Sequence, residues 1–222
     1  MSLDSIDKNI KELLSEISGN IAVVAAAKMR TPEEVGQAIL SGIDIIGENY
    51  IQDAEKCFPF IKEKAKWHFI GHLQKNKVKK AVKIFDMIET VDTEEIALEI
   101  EKRCDALEKQ IQVLIEVNSG RESQKDGVMP EKVSDLINKI CGLKHVNVMG
   151  LMTMGPFSGD PEDARPFFRE TKKIYDKIGF DNIENVEMKY LSMGMTNSYK
   201  VAIEEGANMV RIGTKIFGER ES

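Results

Sequence analysis

"IAVVAAAKMRTPEEVGQAILSGIDIIG", residues Ile21 to Gly47, joins two short apolar runs, the first of them without a charge, through one amphipathic segment. The first run, Ile21 to Ala27, reads as a strand buried on both faces. It ends on a single lysine, Lys28, and the chain turns at once into Thr31-Pro32-Glu33-Glu34, a helix start. A helix over Pro32–Ser41 and a second strand over Ile43–Gly47 follow. Strand, helix and strand in that order form a βαβ unit with parallel strands. A long cation at the exit of a buried strand is unusual, because that junction is normally made by Gly, Asn or Asp. Lys28 is therefore either escaping to water or in use.

The pattern repeats along the chain. Further strands are expected at Trp67–Gly71, Met87–Val91, Gln112–Val117, Val146–Met152, Met188–Ser192 and Met209–Ile212. Helical patterns lie between them at Ile51–Glu63, Gln74–Lys83, Thr93–Lys109, Pro130–Cys141, Asp160–Lys177 and Asn197–Glu205. Leu3–Ile17 is a further amphipathic helix with no strand before it. No Pro/Gly/Ser-rich linker or low-complexity segment interrupts the 222 residues, so one domain over 1–222 is expected. Eight strands alternating with helices in this length fit a closed (β/α)8 TIM-type barrel with an extra N-terminal helix better than an open sheet.

Lys and Arg number 31 against 37 Asp and Glu, a formal charge of -6, which gives no general attraction to nucleic acid or an anionic membrane. The three cysteines, Cys57, Cys104 and Cys141, are far apart and lack CxxC spacing, so neither a disulfide framework nor a zinc site is suggested. No apolar run is long enough to span a bilayer, and the first residues do not read as a leader. A soluble cytoplasmic protein is expected.

A barrel of this kind carries its chemistry on the loops that follow the strands. Those positions hold Lys28, then Glu48-Asn49-Tyr50, His72 to Asn76, Asn118-Ser119-Gly120, Met152 to Gly155, Ser192 to Thr196, and Arg211 to Thr214. Gly194, Thr196, Gly213 and Thr214 belong to the last two loops. Singly, each glycine reads as an ordinary turn residue. On adjacent strands they predict a phosphate site, since glycine lets backbone N–H groups approach an anion closely. Lys28 faces that site across the mouth. Partial burial disfavours an ammonium, and a neutral amine forms a Schiff base with an aldehyde. Arg211 precedes Gly213 and is placed to donate to the nitrogen of a pyridine ring bridging lysine and phosphate.

Other signals are weaker. His68 and His72 are four apart but span a strand end, where that spacing does not bring side chains together, so no metal site is expected and His68 reads as a hydrogen-bonded barrel residue. "KNKVKKAVK", Lys75 to Lys83, reads as a solvated helix face. GxxxxGK, GxSxG and HExxH motifs are absent.

Taken in order, "AAAKMRTPEE", "GENYIQDAEKC", "WHFIGHLQKNK", "VNSGRESQKDGV", "GLMTMG" and "LSMGMTNSYKVAIEEGANMVRIGTKIFGER" resemble the landmarks of the pyridoxal phosphate homeostasis protein family, from near residue 20 to the end. The resemblance implies a single barrel similar to the N-terminal domain of alanine racemase, with pyridoxal 5'-phosphate (PLP) held as a Schiff base on Lys28. It further implies Ser192, Met193, Gly194, Gly213 and Thr214 at the phosphate, Arg211 at the pyridine nitrogen, and Asn49, His72 and Met152 along the ring. Relatives often carry Ser before the lysine and Thr after it, where this sequence has Ala27 and Met29. Hydroxyl contacts beside the Schiff base are therefore the point of departure.

The implied function is to hold, buffer or deliver PLP within vitamin B6 homeostasis, with apo PLP-dependent enzymes as recipients, no defined reaction, and a monomer or dimer as the assembly. The alternative is a PLP-dependent amino-acid racemase. That reaction needs a second acid/base on the other ring face, where Tyr50, Tyr199 and His72 are the candidates, and no second domain is expected to supply one. A lysine-dependent aldolase would draw on Glu48 or Tyr50 but leaves Arg211 without a role.

Overall fold

The computed structural model describes residues 2–17, 19–61, 64–155 and 159–219. Its strands are β1 (Ala22–Ala26), β2 (Ile45–Glu48), β3 (Lys66–Phe69), β4 (Met87–Val91), β5 (Ile111–Glu116), β6 (Val146–Thr153), β7 (Val186–Met193) and β8 (Met209–Ile212). They form a closed parallel barrel in sequence order, in which β1 pairs with both β2 and β8. Among the described residues the helices are α1 (Leu3–Glu16), α2 (Pro32–Leu40), α3 (Ile51–Ile61), α4 (Val78–Ile84), α5 (Glu94–Asp105), α6 (Val133–Ile140), α7 (Arg165–Asp181), α8 (Tyr199–Glu204) and α9 (Thr214–Phe217). None is long and apolar enough to cross a membrane. The last two residues of the helix expected over Ile51–Glu63 lie outside the described residues.

Side chains alternate across each strand, and the burial follows that period. Val23, Ala25 and Ala27 join Ile46, Trp67, Phe69 and Val113 in the layer between sheet and helices. Val24, Met87, Leu114, Met149, Met152 and Met209 fill the inside of the barrel. Unbranched methionine adapts to that tapering space better than a branched side chain. With both faces covered, the strands read as nearly continuous apolar runs.

The helices start where local chemistry dictates. Thr31 caps α2, its hydroxyl accepting from the Glu34 amide while the Glu34 carboxylate accepts from the Thr31 amide, with Pro32 in the first turn. In α1, Ile6, Ile10 and Leu13 are buried on one helical face. That helix covers the junction between the last and first barrel units. Asn9 donates to the Ile216 carbonyl at 3.0 Å, and Glu16 accepts from Tyr199 at 2.6 Å and from Lys215 at 2.9 Å.

Two differences from the sequence expectation bear on the site, together with one feature of the strand pairing. A short helix, α9, opens directly after Gly213, which a four-residue segment cannot announce by periodicity. Residues 75–77, 130–132 and 161–164 form 3₁₀ turns ahead of α4, α6 and α7. The β7–β8 register is limited to Ser192 opposite Met209. Side chains reinforce that seam: Asn208 accepts from the Leu191 amide at 2.8 Å and donates to the Lys189 carbonyl at 2.7 Å, and Arg211 donates to the Ser192 carbonyl at 3.0 Å.

Candidate functional site

Lys28 follows β1 at an inward position of the alternation, in a tight turn closed by the Arg30 amide on the Ala27 carbonyl at 2.9 Å. The turn is held from both sides. Asp53 of α3 accepts from the Met29 amide at 3.3 Å, and Arg30 donates to the Gly218 carbonyl at 2.7 Å. Met29 has φ +62°, a left-handed conformation that costs an L-residue about 1–2 kcal/mol. Lys28 is half-buried, and its Nζ lies 4.9 Å from the centre of the Tyr50 ring. Among the described residues that ammonium has no hydrogen-bond or ion-pair partner.

The two glycine-bearing loops meet beside it. Gly213 packs against the strand that carries the lysine: a Cβ there would stand 3.5 Å from the Ala26 carbonyl oxygen. Thr214 opens α9, whose first amides have no intrahelical acceptor. Thr196 accepts from the Lys215 amide at 3.3 Å, and the Arg211 amide donates to the Gly194 carbonyl at 3.1 Å, so the loops are tied to one another. Gly194 has φ +88°, and a Cβ would fall 2.6 Å from Ala202 Cβ. The loop after β7 can follow this path only with glycine there.

Beneath the mouth a chain of buried polar groups crosses the barrel from β3 to β8. His68 Nδ1 lies 2.7 Å from Glu89 Oε1, and Ser192 donates to Glu89 Oε2 at 2.7 Å. Arg211 donates to Ser192 Oγ at 2.7 Å and to the Thr153 carbonyl at 2.8 Å, with Met154 Sδ at 3.4 Å. Burial alone would push the Glu89 carboxyl up. The hydrogen bond and charge of His68, the charge of Arg211 and the Ser192 hydroxyl outweigh it and hold Glu89 below the usual carboxylate range. Arg211 is 3% exposed, and its Nε–H is the guanidinium donor left without a partner among the described residues.

The remaining expected residues divide by position. Met152 is fully buried inside the barrel, and Asn49 is half-buried at the rim. His72 is exposed on the rim with Nδ1 3.1 Å from Asp126 Oδ1. Met193 points outward into the helix layer, so only its backbone is available to a ligand at the mouth. The one hydroxyl hydrogen of Ser192 goes to Glu89, so its side chain reaches a phosphate only by giving up that bond.

Two residues weighed for other chemistry are turned away. Gly47 faces inward, where a Cβ would meet Val24 at 2.6 Å and Ile70 at 2.9 Å. Glu48, one residue on, therefore points out toward α3. It is fully buried with no partner for either oxygen among the described residues, and burial with the nearby Asp53 charge pushes its carboxyl up to about 8. This removes the acid that the aldolase reading drew on. Tyr199 is buried with its hydroxyl on Glu16 of α1.

Sequence reading of loop positions missed Glu89, Glu116, Asp92 and Asp126. Glu89 and Glu116 lie within strands, each two residues beyond an inward apolar residue, Met87 and Leu114. A lone acid at an inward position of an apolar strand is the signal that would have found them. Burial and the charges of Asp92 and Asp126 push the Glu116 carboxyl up to about 7, with Arg211 opposing.

The family profile described as the alanine racemase N-terminal domain matches residues 1–221. The chain is 41% identical over 200 residues to the pyridoxal phosphate homeostasis protein of Aquifex aeolicus, covering 90% of this chain and 87% of that one. It superposes with a TM-score of 0.88 on the PLP-bound structure of PipY from Synechococcus elongatus, at 24% identity, covering 96% of this chain and 100% of PipY. Alanine racemase from Clostridium difficile shares the fold with a TM-score of 0.77 at 16% identity, covering 99% of this chain and 56% of the racemase.

Proposed function

The chain belongs to the pyridoxal phosphate homeostasis proteins, within the wider family of the alanine racemase N-terminal domain, and from that membership we propose that it binds PLP and takes part in intracellular PLP homeostasis. The observation that carries this reading is the Lys28 ammonium at the mouth, without a hydrogen-bond or ion-pair partner among the described residues and one strand away from the paired loops of β7 and β8. PLP bound there supplies an aldehyde to an amine, a phosphate to backbone N–H groups and a ring nitrogen to a donor. Lys28 supplies the amine for a Schiff base. Thr214, with the backbone of Met193, Gly194 and Gly213, supplies donors to the phosphate. Arg211 offers Nε–H to the ring nitrogen from a guanidinium fixed by Ser192 and Thr153. A cation there opposes protonation of the ring, which suits a carrier better than a catalyst that stores electrons. Asn49, His72 and Met152 would flank the ring, and Ser192 would support the phosphate loop from below.

The single barrel domain holds and releases the cofactor, in the cytoplasm and as a monomer, to apo PLP-dependent enzymes. The charge balance and the dispersed cysteines support that compartment. Racemase chemistry is not favoured, because a second acid/base is needed opposite Lys28. Tyr199 is bonded to Glu16, and Tyr50 lies on the side of the lysine. The test is a visible absorption spectrum with added PLP, followed by mixing with an apo PLP enzyme. A Schiff-base band that disappears in Lys28→Ala, and recovery of activity by the apo enzyme, are expected. A spectrum indifferent to Lys28, or turnover of L- to D-amino acids at about 1 s⁻¹ or faster, would contradict the carrier reading.

A further inference from the structure

We propose that the mouth also carries a divalent-cation site, across the ring of strands from Lys28, built from His72, Asp92, Asp126 and Glu116. Nitrogen and oxygen atoms of His72, Asp92 and Asp126 lie within 4.8 Å of one another. Ligands about 2.2 Å from a shared ion stand about 3 to 4.4 Å apart, so small side-chain movements close the set. The independent observation is Glu116. The residue is 8% exposed, its carboxylate has no hydrogen-bond or ion-pair partner among the described residues, and it lines the same 260 Å³ cavity as Asp126.

The backbone holds these groups together before any ion arrives. Val117 bridges to Val128, and the Asn118 side chain donates to the Glu122 and Lys125 carbonyls at 2.9 and 3.2 Å, closing the loop after β5. At the end of that loop Gly127 has φ +101° and donates its amide to Asp92 at 3.3 Å. A Cβ on Gly127 would lie 3.2 Å from Glu116 Cγ and 2.8 Å from the Asn118 nitrogen, so glycine lets Asp92, Asp126 and Glu116 converge. The neighbouring cations make their hydrogen bonds to other groups, although the Arg211 charge reaches Glu116. Lys125 pairs with Glu122 and the Gly155 carbonyl, and Arg211 makes its hydrogen bonds to Ser192 and Thr153. One imidazole with carboxylates suits Mn²⁺ or Zn²⁺ better than Ca²⁺, which takes oxygen ligands.

The test is titration of chelator-stripped, PLP-free full-length protein with Mn²⁺, followed by the loss of the free-ion electron paramagnetic resonance signal. One Mn²⁺ per chain, displaced by Zn²⁺, is expected. Asp126→Asn, Asp92→Asn and Glu116→Gln should each weaken binding roughly tenfold or more, whereas Asp135→Asn on α6 should not. The Asp126 side chain is 51% exposed, so its substitution does not threaten the core, and melting temperatures in chelator check the other variants. Absence of saturable binding below about 1 mM, or binding unchanged in Asp126→Asn, overturns the site. Neither result depends on PLP.

Discussion

At the scale of single residues the floor of the site, beneath Lys28, rests on buried groups that already partner one another. Glu89 is the clearest case, since its two oxygens take His68 and Ser192 and its charge faces Arg211. Removing one charge from such a buried set leaves the other uncompensated, at about 3–5 kcal/mol. Glu89→Gln is therefore expected to lower stability by that order in urea unfolding, and a change under about 1 kcal/mol would mean the chain is not ionised as described. Thr214 is exposed and carries no packing role, so its substitution reads binding alone. Thr214→Ala should weaken PLP binding roughly ten- to a hundredfold, the value of one hydrogen bond to a charged group. It should leave binding of unphosphorylated pyridoxal nearly unchanged; equal losses for both ligands would refute the phosphate role. Lys28, Arg211 and the glycines were legible in the sequence because each breaks a local rule: a cation ending an apolar strand, or small residues clustered on adjacent loops. Glu89 was not, because the single acid in the strand "MIETV" shows its meaning only when the opposite strands close around it.

Elements set where those residues point. The alternation that turns Gly47 inward sends Glu48 outward against α3, and there its neutral form is the favoured one. A carboxyl raised from 4.5 to about 8 on folding contributes stability in full below its unfolded value, and that contribution is lost as pH rises through the folded value. Unfolding free energy should therefore fall between pH 4.5 and about 8 by an amount on the order of a few kcal/mol. Glu48→Gln should flatten that slope and stabilise the protein at the alkaline end; an unchanged slope would exclude Glu48 as its source. Gly194 is the other element-scale hinge. With φ +88° and a Cβ 2.6 Å from Ala202, Gly194→Ala should destabilise by about 1–3 kcal/mol and weaken PLP binding by displacing the β7 loop. Strand positions were readable from apolar runs buried on both faces. Short pieces such as α9 and the 3₁₀ turns were not, because three or four residues carry no period.

For the whole molecule, closure of the barrel brings β1, β7 and β8 together and thereby joins Lys28 to loops more than a hundred residues away in sequence. The helix α1 covers that same junction, and its Glu16 gathers Tyr199 and Lys215 from the units that frame the phosphate loops. Repetition of strand and helix from the stretch around Lys28 made this architecture legible. The acidic side of the mouth was not, since Asp92, Glu116 and Asp126 meet only through the β5 loop and the left-handed Gly127. The central claim is that Lys28 is the amine that holds PLP. Borohydride reduction of the PLP-loaded protein, followed by peptide mapping, tests it most directly. The account predicts one phosphopyridoxyl group per chain, on the peptide containing Lys28; label mainly on another lysine, or none, would contradict it.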